Sequence, residues 1–314
     1  MFKVGIIGLN FGGSVHIPAY QKSEKFKITG IFDNGSGKAK LLKKKYSLNC
    51  KIYKNVEKMI SSTENNLIDI CSPTFTHSKY LKKVYEAKKD VICEKPMGLN
   101  FSQINGLAEK FDKKKLLNIV NYEFRFEFLM NELKKILKRN KDINKIDINW
   151  LINSKKKDGW KATKKKGGGI ANELLCHTID YLIFLLDIKD LFSMLCLKKK
   201  ILKNSCHLTF KLKQTLINIK IIRNLRIKKS EHSIGIDCKK EHATLSYFHP
   251  FSSKDKNLVI FKDGLKKEVK NLDERNISDD RILSFYNLIE SVNKNSNHTN
   301  FKKAELIRRF LDNL

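Results

Sequence analysis

The sequence predicts an α/β fold: a Rossmann-type doubly wound parallel sheet followed by an α+β domain with a large, mainly antiparallel open sheet. Three observations predict it. Short apolar runs alternate with helical patterns over residues 2 to 120, a glycine turn follows the first of those runs, and after residue 120 the rhythm changes to alternating, strand-like segments.

Taken in order, the candidate strands of the first half are Lys3–Ile7, Lys27–Phe32, Leu67–Cys71, Asp90–Cys93 and Leu116–Val120. Between them, Ser36–Lys45, Thr76–Ala87 and Phe101–Lys113 carry apolar residues at helical spacing. Right-handed crossovers then place a ligand crevice beyond the carboxyl ends of the strands. In the second half, helices are expected over Phe126–Leu137 and Ala171–Leu186, with a strand over Lys145–Ile152 between them. Cys206–Leu212, Thr215–Ile222, His232–Asp237, Ala243–Phe248 and Asn257–Phe261 alternate as strands with one solvated face do. Two amphipathic helices, about Asp279–Val292 and Phe301–Leu311, close the chain. The expected domains are therefore residues 1–120 and 121–314.

Composition narrows the classes. A chain of 314 residues with 41% hydrophobic content has enough material for two cores. It has no run of about 18 uncharged apolar residues and no charged and apolar leader before Val4, so a cytoplasmic protein with no membrane partner is expected. The seven cysteines are odd in number and include no C-x-x-C pair, which favours reduced thiols and no metal site. The net charge of +30 suggests nucleic acid, but of 63 basic residues only 8 are Arg and 55 are scattered Lys, which supports no base-reading or phosphate-gripping face.

Four segments carry chemistry. The first is the turn Gly8-Leu9-Asn10-Phe11-Gly12-Gly13. A dinucleotide fold needs one glycine for the tight turn, a second position where backbone approaches the pyrophosphate, and a third for close helix packing. Gly8 and Gly13 fill the first and third roles and Asn10 stands at the second, with Phe11 beside it. The second is Asp33, 20 residues beyond Gly13, whose carboxylate can accept both ribose hydroxyls of NAD and repel the extra phosphate of NADP. The competing reading is a solvated turn, and Lys38 and Lys40 lie near enough to accommodate a phosphate, so NAD is expected with NADP as the alternative. The third is Cys93-Glu94-Lys95-Pro96, which puts Lys95 at a strand's carboxyl end in a turn that a cis proline would lock. The fourth is Gly167 to Asp180: on a helix Glu173, His177 and Asp180 share a face, and a histidine flanked by two carboxylates can be oriented as a general base. The competing reading there is a capped helix with a satisfied histidine.

Together these residues resemble the glucose-fructose oxidoreductase, inositol dehydrogenase and rhizopine-catabolism family, Gfo/Idh/MocA. The resemblance rests on G-L-N-F-G-G with H-I-P-A following, C-S-P-T-F-T-H at 71–77, E-K-P at 94–96, N-Y-E-F-R-F at 121–126, and G-G-G with E-x-x-x-H-x-x-D at 173–180, covering residues 2 to about 187. It implies a dinucleotide-binding Rossmann domain, a substrate domain whose open sheet packs against another subunit, and a homo-oligomer. It also implies that Lys95 and His177 are the catalytic pair, with Glu173 where the family usually has aspartate. Ser72, Pro73, Thr74 and His77 would lie on the nicotinamide side of the cofactor, with Glu94 and Lys95 beside them. Asn10, Thr74 and Leu175 depart from the usual glycine, asparagine and glycine.

The expected function is hydride transfer between nicotinamide and a hydroxyl-bearing carbon of a sugar, polyol or nucleotide sugar. His177 would take the hydroxyl proton and Lys95 would steady the alkoxide, with cofactor and substrate in an interdomain cleft. Arg125, Trp160, Lys161 and Asp180 are the candidate substrate contacts. Trp160 and Lys161 lie in Ser154–Lys166, whose seven lysines suit an anionic sugar or simply a solvated loop. The alternative is a catalytically silent NAD-binding regulator of the same fold.

Overall fold

The computed structural model describes residues 1–140, 142–153, 160, 163–239, 241–247, 256–262, 265–270, 279–292 and 299–314. The chain forms two compact units: Met1–Glu123 with Lys165–Gly167 and Arg281–Asp312, and Phe124–Lys164 with Gly168–Asp280 and Asn313–Leu314.

The first unit is built on strands β1 (Phe2–Ile7), β2 (Phe26–Phe32), β3 (Lys51–Tyr53), β4 (Leu67–Ile70), β5 (Asp90–Glu94) and β6 (Asn118–Asn121), with helices α1 (Ile17–Gln21), α2 (Lys38–Lys45), α3 (Val56–Ser61), α4 (His77–Glu86) and α5 (Leu107–Lys113) between them. Every pairing is parallel and the order is β3-β2-β1-β4-β5-β6. Val4, Ile6, Ile7, Leu67, Ile68 and Ile70 are all buried, as strands covered by helices on both faces must be. The chain turns outward from β1 through β2 and β3, then returns to the other side of β1 as β4. That reversal is a topological switch point, the place where this sheet type opens a crevice.

Two short elements, β3 and α3, escape sequence reading because three and six residues do not complete a recognisable period. The continuous helix expected over Phe101–Lys113 is broken at Gly106, whose φ of 78° ends a short 3-10 turn and starts α5.

The second unit contains α6 (Phe128–Arg139), β7 (Ile143–Ile152), α7 (Cys176–Leu186), β8 (Leu195–Ile201), β9 (Ser205–Leu212), β10 (Thr215–Arg223), β11 (Glu231–Cys238), β12 (Glu241–Tyr247), β13 (Lys256–Lys262) and β14 (Leu265–Lys270). The strands form one sheet in the order β14-β13-β12-β11-β7-β10-β9-β8, antiparallel except for β7 with β10. Along β10, Thr215, Ile217, Ile219 and Ile221 are buried while Lys220 is exposed, the period-two signature of a half-covered sheet. The edge strands β8 and β14 are missed from sequence because lysines interrupt their alternation; such residues protect an edge from further pairing.

The chain ends in α8 (Asp280–Glu290) and α9 (Phe301–Asn313). Sequence reading assigned both to 121–314, whereas Arg281–Asp312 belongs to the first unit. The cause is aromatic packing: Phe285 stacks on His16 at 3.6 Å between ring centres, and Phe301 meets Phe111 edge-on at 5.0 Å. Phe301 also donates its backbone N–H to Asn118 Oδ1 at 2.9 Å.

Candidate functional site

The ends of four neighbouring strands carry the candidate cofactor residues. Asp33 follows β2, Gly8 follows β1, Ser72, Pro73 and Thr74 follow β4, and Lys95 follows β5. Gly8 has φ +100°, and a Cβ there would stand 2.4 Å from the Cys71 carbonyl carbon and from the Ser72 nitrogen. Only glycine permits the β1 and β4 ends to approach so closely. Gly13 plays the packing role, since a Cβ there would fall 2.7 Å from Leu42 Cδ1 of α2. The segment after the turn is a π-helical turn, Gly12–His16, running into α1. Asn10 Oδ1 accepts from Lys38 Nζ, so the residue at the second glycine position is engaged with α2. Phe11 sits edge-on to His16.

Asp33 is not a solvated turn residue. Oδ1 accepts from Gly35 N at 3.1 Å, Ser36 N at 2.8 Å and Ser36 Oγ at 2.8 Å, and Oδ2 accepts from Ala39 N at 3.1 Å. Burial by itself raises its pKa, but these four donors reverse that and hold it below the usual carboxylate value. Oδ2 keeps acceptor capacity beyond its one bond.

His77 ties two turns together: Nε2 lies 2.7 Å from Ser72 O and Nδ1 2.9 Å from Pro96 O. Burial, the largest influence, lowers its pKa despite both carbonyls. The Lys95–Pro96 peptide is cis. Ser72 Oγ and Thr76 Oγ1 share a hydrogen bond of 2.6 Å. Gly167, of the glycine run, would meet Thr74 Cβ at 2.7 Å if it carried a side chain, and its φ is +91°.

Beneath this surface lies a residue the sequence reading did not select as functional. His16 is fully enclosed, with Nδ1 2.7 Å from Asp69 Oδ2 and Nε2 3.2 Å from Glu94 Oε1, which also accepts from Asn121 Nδ2 at 2.6 Å. Burial lowers its pKa, but Asp69 and Glu94 overcome this and raise it to about 9. His16 reciprocally holds Glu94 below the ordinary carboxylate value against its own burial. His16, Asp69 and Cys71 offer ligand atoms within 4.8 Å of one another, yet the hydrogen bonds already account for the first two and burial keeps the Cys71 thiol protonated. The available signal was the histidine of H-I-P-A, three residues past Gly13.

The pair has a pH signature. A histidine whose folded pKa of about 9 exceeds its unfolded 6.5 contributes stability fully present below pH 6.5 and lost as pH rises toward 9. Wild type should therefore lose more melting temperature between those values than His16→Gln; parallel pH curves for the two proteins would remove the buried imidazolium.

In the second unit, Arg125 and Asp180 face each other rather than an open site. Arg125 Nε donates to Asp180 Oδ2 at 2.7 Å, and its terminal nitrogen donates to Oδ1 at 2.6 Å and to the Asp180 carbonyl at 3.0 Å. The expected use of these residues as substrate contacts meets a competing fact: both carboxylate oxygens are already bonded and both side chains are buried. Glu173 lies in a π-helical turn, Ala171–Leu175, that replaces the first part of the single expected helix, and it pairs with Arg223 at 3.1 Å. His177, in the first turn of α7, is buried and meets Phe124 edge-on at 5.0 Å. Beside it Trp150 Nε1 donates to Thr178 Oγ1 at 3.1 Å, Trp150 stacks on His232 with ring centres 3.6 Å apart, and His232 Nε2 is 3.2 Å from the Tyr181 hydroxyl oxygen. Trp160 is half-buried in the second unit. Lys161 falls outside the described residues. The structure thus brings the cofactor candidates and Lys95 together in one unit, and His177, Glu173, Arg125 and Asp180 in the other.

Residues 2–122 match the oxidoreductase family with an NAD-binding Rossmann fold. Residues 2–122 thus carry the NAD-binding domain of the Gfo/Idh/MocA oxidoreductases. An uncharacterised oxidoreductase of Synechocystis sp. is 31% identical over 188 residues, covering 58% of this chain and 50% of that protein. Glucose-6-phosphate 3-dehydrogenase of Bacillus subtilis is 25% identical over 194 residues, covering 60% and 54%. The chain thus spans about half the length of these curated relatives. Among solved structures, levoglucosan dehydrogenase in complex with NADH superposes with a TM-score of 0.82 over 99% of this chain and 95% of that one, at 14% identity, which is a likeness of fold. The family binds NAD through this Rossmann domain, and the glycine turn described above fits it: the cradle at Gly8 is closed to any Cβ. Among the described residues no helix is long and apolar enough to cross a membrane.

Proposed function

We propose that this oxidoreductase moves a hydride between NAD(P) and a hydroxyl-bearing carbon of a sugar, polyol or nucleotide sugar, with the first unit as the dinucleotide-binding domain and the second unit as the substrate and oligomerisation domain. The observation that carries the reading is the alignment of Asp33, Gly8, Ser72 and Lys95 at adjacent strand ends astride the switch point. When bound, the nicotinamide accepts or supplies the hydride. Gly8, Asn10, Phe11 and Gly13 would hold the phosphates, with backbone N–H groups of the turn as donors. Asp33 would accept a ribose hydroxyl at Oδ2. Ser72, Pro73, Thr74, His77 and Glu94 would shape the nicotinamide side. Lys95 donates to the substrate oxygen and stabilises the charge that forms there. His177 accepts the hydroxyl proton during oxidation and returns it during reduction. Substrate contacts are proposed at Trp160 and Lys161, while Arg125 and Asp180 shape the site as a rigid pair.

Absorbance of reduced nicotinamide, followed with NAD and NADP against a panel of sugars, polyols and nucleotide sugars, tests the reading. Turnover of at least one panel member is expected. Cofactor binding with no turnover throughout would favour a silent NAD-binding regulator instead. Asp33→Asn should weaken NADH binding about tenfold and leave NADPH nearly unchanged, measured by fluorescence titration; an unaltered ratio would confine Asp33 to capping α2.

The exposed Leu195, Leu197 and Ile201 of β8 and Leu265 of β14 support assembly of copies through the second sheet. Sedimentation velocity should show an oligomer that Leu195→Lys/Leu197→Lys shifts toward monomer.

A further inference from the structure

We infer that Lys38 and Asn10 act together as a side-chain clamp on the cofactor's pyrophosphate, the Lys38 ammonium and the Asn10 amide N–H donating to its oxygens at the turn position where a dinucleotide fold usually presents bare backbone. The inference rests on the cofactor site proposed above and deepens it by assigning the side chains that recognise the pyrophosphate's charge.

The departure lies in the turn itself. Gly8 and Gly13 keep the first and third glycine roles, but Asn10 puts a side chain where backbone otherwise meets the pyrophosphate. Asn10 is exposed, and its Oδ1 accepts from Lys38 Nζ. An ammonium can only donate, so it takes the oxygen end of the amide and leaves the NH2 end for a different acceptor. The turn thus loses a close backbone approach and gains two side-chain donors.

The lysine is rooted on the ribose side. Asp33 accepts from the N–H groups of Gly35, Ser36 and Ala39, which fixes residues 34–37 and the first turn of α2. Lys38 is the first residue of that helix, and Leu42, one turn later on the same face, lies against Gly13. Helix α2 therefore meets the glycine turn at two points, Leu42 at Gly13 and Lys38 at Asn10. The Lys38 backbone stands in the Asp33 loop, where the ribose is expected, while its ammonium stands at the turn, where the pyrophosphate is expected.

The ammonium keeps its full charge there. Elsewhere in this unit Lys25, Lys83 and Lys113 pair with Glu290, Glu57 and Glu109. Among the described residues no acid pairs with Lys38, and a neutral amide does not offset its charge. An exposed bond from a lysine to an amide contributes little to the fold, since holding a long side chain still is entropically unfavourable. A doubly anionic pyrophosphate gives that cation a stronger, charge-assisted partner at the place where it is already held. The extra phosphate of NADP belongs to the ribose, near the root of the lysine rather than its ammonium, so the clamp serves both cofactors alike.

The test titrates the full chain with NADH, NADPH and ADP-ribose, following the reduced cofactors by their fluorescence and ADP-ribose by displacement of NADH. Lys38→Met, Asn10→Ala and the double variant remove the groups singly and together, and Lys38→Arg keeps a cation. Lys38→Met is expected to weaken all three ligands by a similar factor, on the order of tenfold, with the melting temperature unchanged. Because each side chain holds the other in place, the double variant should lose less than the product of the two single losses. Lys38→Arg should keep most of the affinity, and added salt should weaken NADH binding less in Lys38→Met than in wild type. Weakening of NADPH alone would reassign Lys38 to the ribose phosphate and overturn the clamp. Losses that multiply in the double variant would overturn it too, by making the two groups independent. Tight binding to wild type with unaltered affinities in the variants would remove the clamp and leave the cofactor site standing. Failure of wild type to bind any of the three ligands would remove the cofactor site itself, and the clamp with it.

Discussion

Lys95→Met lowers kcat on the best panel substrate by on the order of 10³-fold while NADH still binds with near wild-type affinity. The size follows from the charge at stake. During oxidation the substrate oxygen gains negative character, and an ammonium held at a strand end stabilises that oxygen more in the transition state than in the ground state. Lys95 is well placed to be held still, because Glu94 before it bonds to His16 and Asn121, and the Pro96 carbonyl after it bonds to His77. Methionine fills similar volume without the charge, so a parallel loss of kcat and kcat/KM is the expected pattern. Equal kcat in the two proteins would take Lys95 out of the mechanism. His177→Gln should lose activity too, by a smaller factor at high pH, where hydroxide assists proton removal.

The largest effect on stability is expected at Arg125. Its two-point bond to Asp180 is buried, with the Asp180 side chain only 1% exposed. Arg125→Met removes the guanidinium that bonds to both oxygens of that enclosed carboxylate, a loss of about 3–5 kcal/mol. Removing both charges in Arg125→Met/Asp180→Leu should recover most of it, because the destabilising element is a buried carboxylate that has lost its guanidinium. Urea unfolding of the three proteins measures this directly; a single variant within about 1 kcal/mol of wild type would mean that Asp180 has a second partner of equal strength. Since neither residue contacts open solvent to any extent, lost activity in the single variant should track lost folded protein.

Much of the first unit was legible because each signal was local. A run such as Val4-Gly5-Ile6-Ile7-Gly8 contains both a buried strand and the turn that ends it. The Asn10-Phe11-Gly12-Gly13 continuation and the E-K-P segment likewise announce strand-end positions without reference to distant residues. Spacing alone points to Asp33, but not to its bonds with three donors of the following turn and one N–H of α2, since a carboxylate's partners depend on how that turn folds. The π-helical turns at Gly12–His16 and Ala171–Leu175 were read as ordinary helix because one extra residue per turn leaves hydrophobic spacing nearly unchanged.

The amino-acid order by itself determined the strand-and-helix alternation, the glycine turn and which segments bear chemistry, because those properties arise from steric limits and periodicities within a few residues. Only the tertiary structure decided which charges meet. His16 found Asp69 and Glu94 across 53 and 78 residues, Arg125 found Asp180 across 55, and Arg223 found Glu173 across 50. Such pairings follow from burial, which makes an unmatched charge costly and so selects its partner from whatever the fold brings near.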